Sequence, residues 1–148
     1  MLVFLLHVAE GDYDAAEACM QAGLTIYREM DNRVAFASGT GNLGDVYLAR
    51  GDLAKARDLL SQGVDLSREA CYTLAEGAFL GSLADLARRE GDLEAAQETF
   101  ETAERIVRQA ADPIELSKLL TKRGHLELAR GDLVSARKLL EEADALCD

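Results

Sequence analysis

The stretch GTGNLG at residues 39–44 has three glycines in a pattern that could bind a nucleotide. Gly39, Gly41 and Gly44 follow the spacing G-x-G-x-x-G, which lets a backbone approach a pyrophosphate at the start of a helix. That chemistry needs a β-strand directly before the glycines and a βαβ unit around them. Neither is visible in this sequence, so the match alone predicts no nucleotide site.

Other residues with reactive side chains form no recognisable site either. His7 and His125 lie far apart, and the sequence has no H-x-x-x-H or C-x-x-C spacing for a metal. No Ser/His/Asp or Cys/His set stands out, and the carboxylates are too numerous to nominate a catalytic pair. We therefore expect no enzyme, no metal and no cofactor. Three widely spaced cysteines, Cys19, Cys71 and Cys147, indicate reduced thiols and a cytoplasmic protein.

The charge of the chain excludes two classes of partner. The 148 residues include 27 Asp and Glu against 16 Lys and Arg, a net charge of −11. Such a chain is a poor match for nucleic acid or for an anionic membrane surface. The apolar opening segment is too short to cross a bilayer and lacks the flanks of a secretory signal, so we interpret it as half of a buried helix.

The dominant feature of the sequence is an internal repeat of forty residues. Gly-Asp followed by Tyr or Leu begins at Gly11, Gly51, Gly91 and Gly131. Four further columns keep the same spacing: Ala16, Ala56, Ala96 and Ala136; Met20, Leu60, Phe100 and Leu140; Gly23, Gly63, Ala103 and Ala143; and Ile26, Leu66, Ile106 and Leu146. A fixed period of this length is typical of solenoid proteins.

Each period predicts two helices separated by a tight turn. Gly51 is expected to end one helix in the left-handed conformation, and Asp52 to cap the next. At a later boundary, Asp112 is the expected cap and Pro113 the first helical residue. No segment alternates like a half-buried strand, so the sequence predicts an all-α chain. Its single domain, 1–148, divides into a truncated repeat (1–30) and three full repeats (31–70, 71–110 and 111–148).

The repeat also gives the glycines a structural explanation. Gly44, Ala84 and Gly124 form a column of small residues on the first helices. We expect this column to meet the alanine column of the second helices, where two helices cross closely. Gly39 stands where the other repeats have Phe79 and Leu119, and each glycine within a helix, here Gly39 and Gly41, costs about 1 kcal/mol relative to alanine. We therefore expect these two glycines to loosen the helix locally.

The sequence resembles the tetratricopeptide repeat (TPR) family. Residues 43–47, LGDVY, match the family pattern L-G-x-x-Y, and residues 96–100, AQETF, match A-x-x-x-F. The period of forty is similar to the longer variant found in kinesin light chains and in many bacterial regulatory proteins. The resemblance covers nearly the whole chain and implies an α-solenoid of antiparallel helix hairpins, wound into a right-handed superhelix.

The resemblance also implies a concave groove lined by the first helices. The corresponding site residues are Ser38, Gly41, Asp45, Leu48, Gly81, Asp85, Arg88, Arg89, Thr121, His125 and Leu128, with Lys118 beside them. The Lys and Asn of the family's chaperone-binding members are absent from the key positions. Asp45 and Asp85 would favour a partner segment with basic character. The alternative is that both are ordinary solvated helix residues.

Two functions remain open at this point. We expect a protein-interaction scaffold, a segment of a larger regulatory or signalling protein, that binds a peptide or helix in its groove. The alternative is an oligomerisation module that self-associates through uncapped solenoid ends. The apolar residues at those ends are Leu2, Val3, Phe4, Leu5 and Leu6 on one side and Leu139, Leu140 and Leu146 on the other.

Overall fold

The fold is described by a computed structural model, which covers His7 and residues 9–147. Seven helices have their bounds within this part of the chain: α1 Tyr13–Glu29, α2 Arg33–Arg50, α3 Leu53–Glu69, α4 Thr73–Glu90, α5 Leu93–Ala110, α6 Pro113–Arg130 and α7 Leu133–Ala145. His7 and residues 9–10 are also helical. The described residues contain no β-strand, as the sequence predicts. Among the helices in this part of the chain, none is both long enough and apolar enough to cross a membrane.

The chain divides into two compact units, Met1–Tyr72 and Thr73–Asp148. In the first unit, α2 and α3 form an antiparallel hairpin, and α1 packs against α2. In the second unit, α4 pairs with α5 and α6 pairs with α7, while α6 also contacts both α4 and α5. The helices of one hairpin share their most extensive contacts with each other, which is the packing expected of helix-hairpin repeats.

The turns follow the predicted residues closely. Gly51 ends α2 with φ of 87°, in the left-handed region where glycine has no steric penalty. The side chain of Asp52 then accepts a hydrogen bond from the backbone N–H of Lys55 at 3.2 Å. Asp112 caps α6 in the same way, with Pro113 as its first residue. Both predicted helix boundaries are confirmed.

A small residue on the first helix of a hairpin lets the second helix approach, and a leucine of the second helix lies nearest to it. A Cβ atom on Gly44 would lie 2.8 Å from Cγ of Leu60 and 2.9 Å from its backbone nitrogen. A Cβ on Gly124 would lie 3.0 Å from two side-chain atoms of Leu140. The nearest atoms belong to the column of Leu60 and Leu140, one helical turn beyond the predicted alanine column. Gly124 also faces that alanine column, because the added Cβ would lie 3.7 Å from the backbone oxygen of Ala136.

The glycines of GTGNLG lie inside α2 rather than in a loop. Gly39, Gly41 and Gly44 are all buried, and backbone N–H groups in a helix interior are bonded to the preceding turn. They are therefore not available to a phosphate. A Cβ on Gly39 would lie 2.8 Å from Cδ2 of Leu24. Gly39 thus allows α1 to pack closely on α2, a role that the expectation of local loosening did not include.

Candidate partner-binding surface

The predicted site residues of the first unit lie on α2 and are mostly covered. Gly41 and Leu48 are buried, Leu48 with only 4% of its surface exposed. Ser38 and Asp45 are half-buried. Leu48 was predicted to face a partner, but it belongs to the core. The repeat period gave its position along the helix without showing that neighbouring side chains cover it.

The predicted residues of the second unit lie on α4 and α6, which approach each other closely. Gly81 of α4 is buried, and a Cβ there would lie 2.5 Å from Cδ1 of Leu119 on α6. A side chain at this point would therefore require the Leu119 side chain to move, and glycine lets the two first helices pack closely without that change. The residues that flank this contact occupy corresponding repeat positions on α4 and α6, and the contact brings these two helices next to each other.

Asp85 does not present a free negative charge on this surface. It is 4% exposed, and its two carboxylate oxygens accept hydrogen bonds from Nε of Arg88 at 2.8 Å and Nε of Arg89 at 2.9 Å. A buried carboxylate needs such partners because an unpaired charge away from water is costly. The expectation that Asp85 attracts a basic segment is therefore not supported, since two guanidinium groups already surround it.

The side chains of α6 divide into those bound within the unit and those that are exposed. The Thr121 hydroxyl donates to the backbone oxygen of Ser117 at 2.9 Å, and Lys122 donates to Oγ of Ser82 on α4 at 3.0 Å. His125 is exposed, as is Leu128 with 46% of its surface accessible. Lys118 is exposed and forms an ion pair with Glu115 at 3.3 Å.

We call this surface the α4–α6 face. It consists of Gly81, Ser82, Asp85, Arg88, Arg89, Lys118, Thr121, Lys122, His125 and Leu128. Its exposed members are cationic, titratable or apolar. Ser82 and Lys122 were not among the predicted site residues, although they stand forty positions apart in one column of the repeat. Their shared column was the signal in the sequence that could have placed them near each other.

A second polar cluster joins three helices of the same unit. Glu104 of α5 accepts hydrogen bonds from Arg108 of α5 and from Arg123 of α6. Arg108 also bonds Glu142 of α7 at 2.7 Å. Burial by itself would raise the pKa of Glu104, but the two arginines outweigh it and hold that pKa below its usual value. The cluster fixes α5, α6 and α7 together, and no motif in the sequence predicted it.

The tyrosine of the LGDVY motif has a comparable structural role in the first unit. The Tyr47 hydroxyl donates a hydrogen bond of 2.5 Å to Oε1 of Glu17 on α1. Arg50 approaches the other oxygen of Glu17 and also pairs with Asp14 at 3.0 Å. The hydrogen bond to the Glu17 carboxylate, together with burial, raises the pKa of Tyr47 to about 12. Tyr47 thus fastens α2 to α1.

The residues predicted to make the solenoid ends adhesive fall into two groups. Leu2, Val3, Phe4, Leu5 and Leu6 lie outside the described residues. At the other end, Leu139, Leu140 and Leu146 are half-buried, and Leu139 and Leu146 pack against the core of the second unit. Across the described residues, no cluster of three or more His, Cys, Asp or Glu side chains could hold a metal ion.

Helix hairpins repeated every forty residues define the class of the protein as an all-α helical-repeat solenoid. Solved structures with the same fold include BtubC (BKLC) from P. vanneervenii, with a TM-score of 0.73 and 20% identity over 98% of this chain. Two structures of a Podosopora anserina kinesin light chain with nearly identical TPR-like repeats, one of them a point variant, have TM-scores of 0.65 and 0.62, each with 19% identity over 97% of this chain. The chain spans 60% of the length of the BtubC structure and 70% and 71% of the other two.

The sequence also assigns the chain to a family. Residues 4–148 match the MalT-like TPR region, so the chain belongs to that family, and the predicted TPR resemblance is confirmed. No curated protein sequence gives a significant match. Repeats of this type generally mediate contacts between proteins, and families built from them are generally not enzymes.

Proposed function

We propose that this chain is a cytoplasmic, non-enzymatic interaction module that binds a segment of a partner protein on its α4–α6 face. The observation that supports the proposal best is the pairing of Asp85 with Arg88 and Arg89. A carboxylate buried in the unit holds two arginines at a surface that also carries an exposed histidine and an exposed leucine. Arginine is enriched at protein interfaces, where it commonly lies beside apolar groups.

The chemistry of the face favours a partner segment with acidic and apolar side chains. Arg89, Lys118 and His125 are exposed and can donate hydrogen bonds, and Leu128 offers an apolar contact. The whole chain has a net charge of −11, so a local excess of cations is distinctive against that background. Arginine held by one carboxylate keeps its planar donor group oriented, which lowers the entropy lost when a second carboxylate binds.

The proposal is tested by affinity capture from a cytosolic extract with the wild-type chain and a charge-reversal variant. Lys118→Glu combined with His125→Glu replaces two exposed donors on the face and leaves Asp85 and its arginines unchanged. A control variant, Arg137→Glu with Lys138→Glu, adds at least as much negative charge at exposed positions of α7. We expect a partner that binds the wild type and the control but is lost from the variant of the face. Equal capture by all three proteins would contradict the proposal.

Reversing the charge of Asp85 would be a weaker test of partner binding on the α4–α6 face. Asp85→Lys would place a third cation beside Arg88 and Arg89 in a site that is 4% exposed. Breaking a buried pair by changing one partner typically costs about 3–5 kcal/mol. The variant would therefore lose binding through unfolding, whether or not the face contacts a partner.

A further inference from the structure

A small cavity lies in the first unit, beside the end of α1, the start of α2 and the end of α3. It has a volume of about 190 Å³, and we call it the helix-end cavity. Pockets that hold drug-sized ligands measure roughly 300–1,000 Å³. The helix-end cavity is therefore suited to a smaller molecule.

Part of the lining of this cavity is apolar. Tyr27, Phe36, Leu66 and Ala70 line it, and all four are half-buried. An apolar group that enters the cavity displaces water from these side chains, and the loss of wet apolar surface stabilises a complex. The lining therefore favours a ligand with an apolar part.

Charged side chains of both signs form the rest of the lining. Arg28 and Arg33 are cationic, Asp31 and Glu69 are anionic, and all four are exposed. Arg33 pairs with Asp31, but at 3.9 Å and with both side chains mostly in solvent this ion pair contributes little. Arg28 lies over the Phe36 ring, with its guanidinium carbon 5.1 Å from the ring centroid.

Arg28 and Glu69 have no ionic partner within the part of the chain that the structure describes. The repeat shows what Arg28 lacks. Arg108, eighty positions later, donates to Glu104 at 2.8 Å and to Glu142 at 2.7 Å. The positions that correspond to these two glutamates in the first unit are Leu24 and Gln62. Neither carries a charge, so Arg28 has no counterpart of the ion pairs that fix Arg108.

A single small molecule reaches both Arg28 and Glu69, because the two side chains line one cavity of only about 190 Å³. Guanidinium and carboxylate groups each bind an opposite charge through hydrogen bonds that are stronger than those between neutral groups. A molecule with one charge would satisfy only one of the two groups. The lining is therefore complementary to a zwitterion with an apolar part.

We propose that the helix-end cavity binds a free α-amino acid with an apolar side chain. The carboxylate of the ligand pairs with the Arg28 guanidinium, and its ammonium pairs with the Glu69 carboxylate. Its side chain packs against Tyr27 and Leu66. The cavity shares no residue with the α4–α6 face, so the two proposals succeed or fail separately.

The test titrates the isotopically labelled full chain with L-leucine and follows the amide chemical shifts. We expect saturable changes at residues 27–36 and 66–70, with a dissociation constant of about 1 mM or lower. Leucinamide lacks the carboxylate, 4-methylpentanoate lacks the ammonium and glycine lacks the apolar side chain. Each of these three molecules should bind at least about tenfold more weakly than L-leucine.

Two variants of the protein assign the charged contacts. Arg28→Gln and Glu69→Gln should each weaken L-leucine binding about tenfold, and both should keep the fold because the residues are exposed. Arg57→Gln and Glu29→Gln are the matched controls, since both residues are exposed in the first unit and lie outside the lining. Glu69→Gln should not weaken binding of 4-methylpentanoate, because that molecule has no ammonium for Glu69 to bind.

Three results would overturn the proposal. The first is no saturable change with L-leucine up to about 10 mM. The second is an affinity for leucinamide or 4-methylpentanoate equal to that for L-leucine, which would show that the cavity does not recognise a zwitterion. The third is an affinity of either Arg28→Gln or Glu69→Gln equal to that of its control, which would place the ligand elsewhere.

Discussion

At the scale of single residues, the turns between helices differ in which type of residue takes the left-handed conformation. The left-handed positions within hairpins are glycines, with φ of 87° at Gly51 and 90° at Gly91. The equivalent positions between hairpins are Asp31, Cys71 and Ala111, with φ between 50° and 54°. A residue with a Cβ is destabilised by roughly 1–2 kcal/mol in this region. The repeat therefore has one relaxed turn and one strained turn in each period.

We predict opposite effects for two substitutions at these turns. Ala111→Gly removes the strain, although glycine also gives the unfolded chain more freedom, so the free energy of unfolding should rise by up to about 1 kcal/mol. Gly91→Ala should lower it by about 1 kcal/mol or more. Urea unfolding with an unchanged slope measures both. Ala110→Gly, at the last residue of α5, is the control and should destabilise; stabilisation by both glycines would contradict the explanation.

At the scale of elements, hairpins are held together by small residues whose neighbours differ in how far they can move. Gly44 faces the backbone of α3, because a Cβ would lie 2.9 Å from the backbone nitrogen of Leu60. Gly124 faces the side chain of Leu140 at 3.0 Å, with the nearest backbone atom at 3.7 Å. A leucine side chain can change its rotamer, but the backbone of α3 can move only if the whole helix moves.

This difference predicts how alanine is tolerated at the two sites. Gly44→Ala should lower the free energy of unfolding by about 1–3 kcal/mol, because overpacking outweighs the gain in helix propensity. Gly124→Ala should change it by no more than about 1 kcal/mol. Thermal and urea unfolding of the two variants provide the comparison. Equal losses would show that contact with the facing backbone does not set the cost.

The polar cluster of Glu104 predicts a dependence of stability on pH. Because its arginine partners hold the Glu104 pKa below the ordinary value of 4.5, the folded state favours the carboxylate. The resulting stability is complete above that value and is lost as the pH falls through the lower pKa of the folded protein. Glu104→Gln should therefore cost about 1–3 kcal/mol at pH 7 and reduce the loss of stability at acid pH.

Urea unfolding at pH 7 and at about pH 3 tests this cluster. Glu101→Gln is the control, since Glu101 is exposed on the same helix and accepts a hydrogen bond from Gln97 at 2.6 Å. It should leave the pH profile nearly unchanged. A profile of Glu104→Gln that runs parallel to the wild type would mean that the acid sensitivity arises elsewhere.

At the scale of the whole molecule, the sequence was sufficient for the fold class but not for the chemistry of the surface. The forty-residue columns predicted hairpins, and the Gly-Asp pairs marked the turn between two helices. The period does not say which side chains meet. Asp85 and Leu48 stand at groove positions in the pattern, but both are buried. Asp85 is bound by Arg88, and no column of the repeat specifies that pairing.

The contacts of the candidate site were hardest to predict where a side chain reaches along its own helix or across to a second helix. Arg88 and Arg89 were predicted to belong to the site, but their bonds to Asp85 reverse the charge that a partner would meet. Lys122 and Ser82 were not predicted to belong to the site. They occupy the same repeat position, but because one is a serine and the other a lysine, the column shows no repeated residue type. Long, flexible side chains decide such contacts, and their direction follows from packing rather than from spacing.

The measurement that tests the central claim most directly is a map of amide chemical shifts on the isotopically labelled chain. The labelled chain is titrated with the partner segment recovered by affinity capture. We predict that the shifts that move upon binding lie between residues 81 and 89 of α4 and between 118 and 128 of α6. The second helices of these hairpins, α5 and α7, should change little. Shifts confined to α5 and α7, or to the first unit alone, would contradict the assignment of the α4–α6 face as the partner-binding surface.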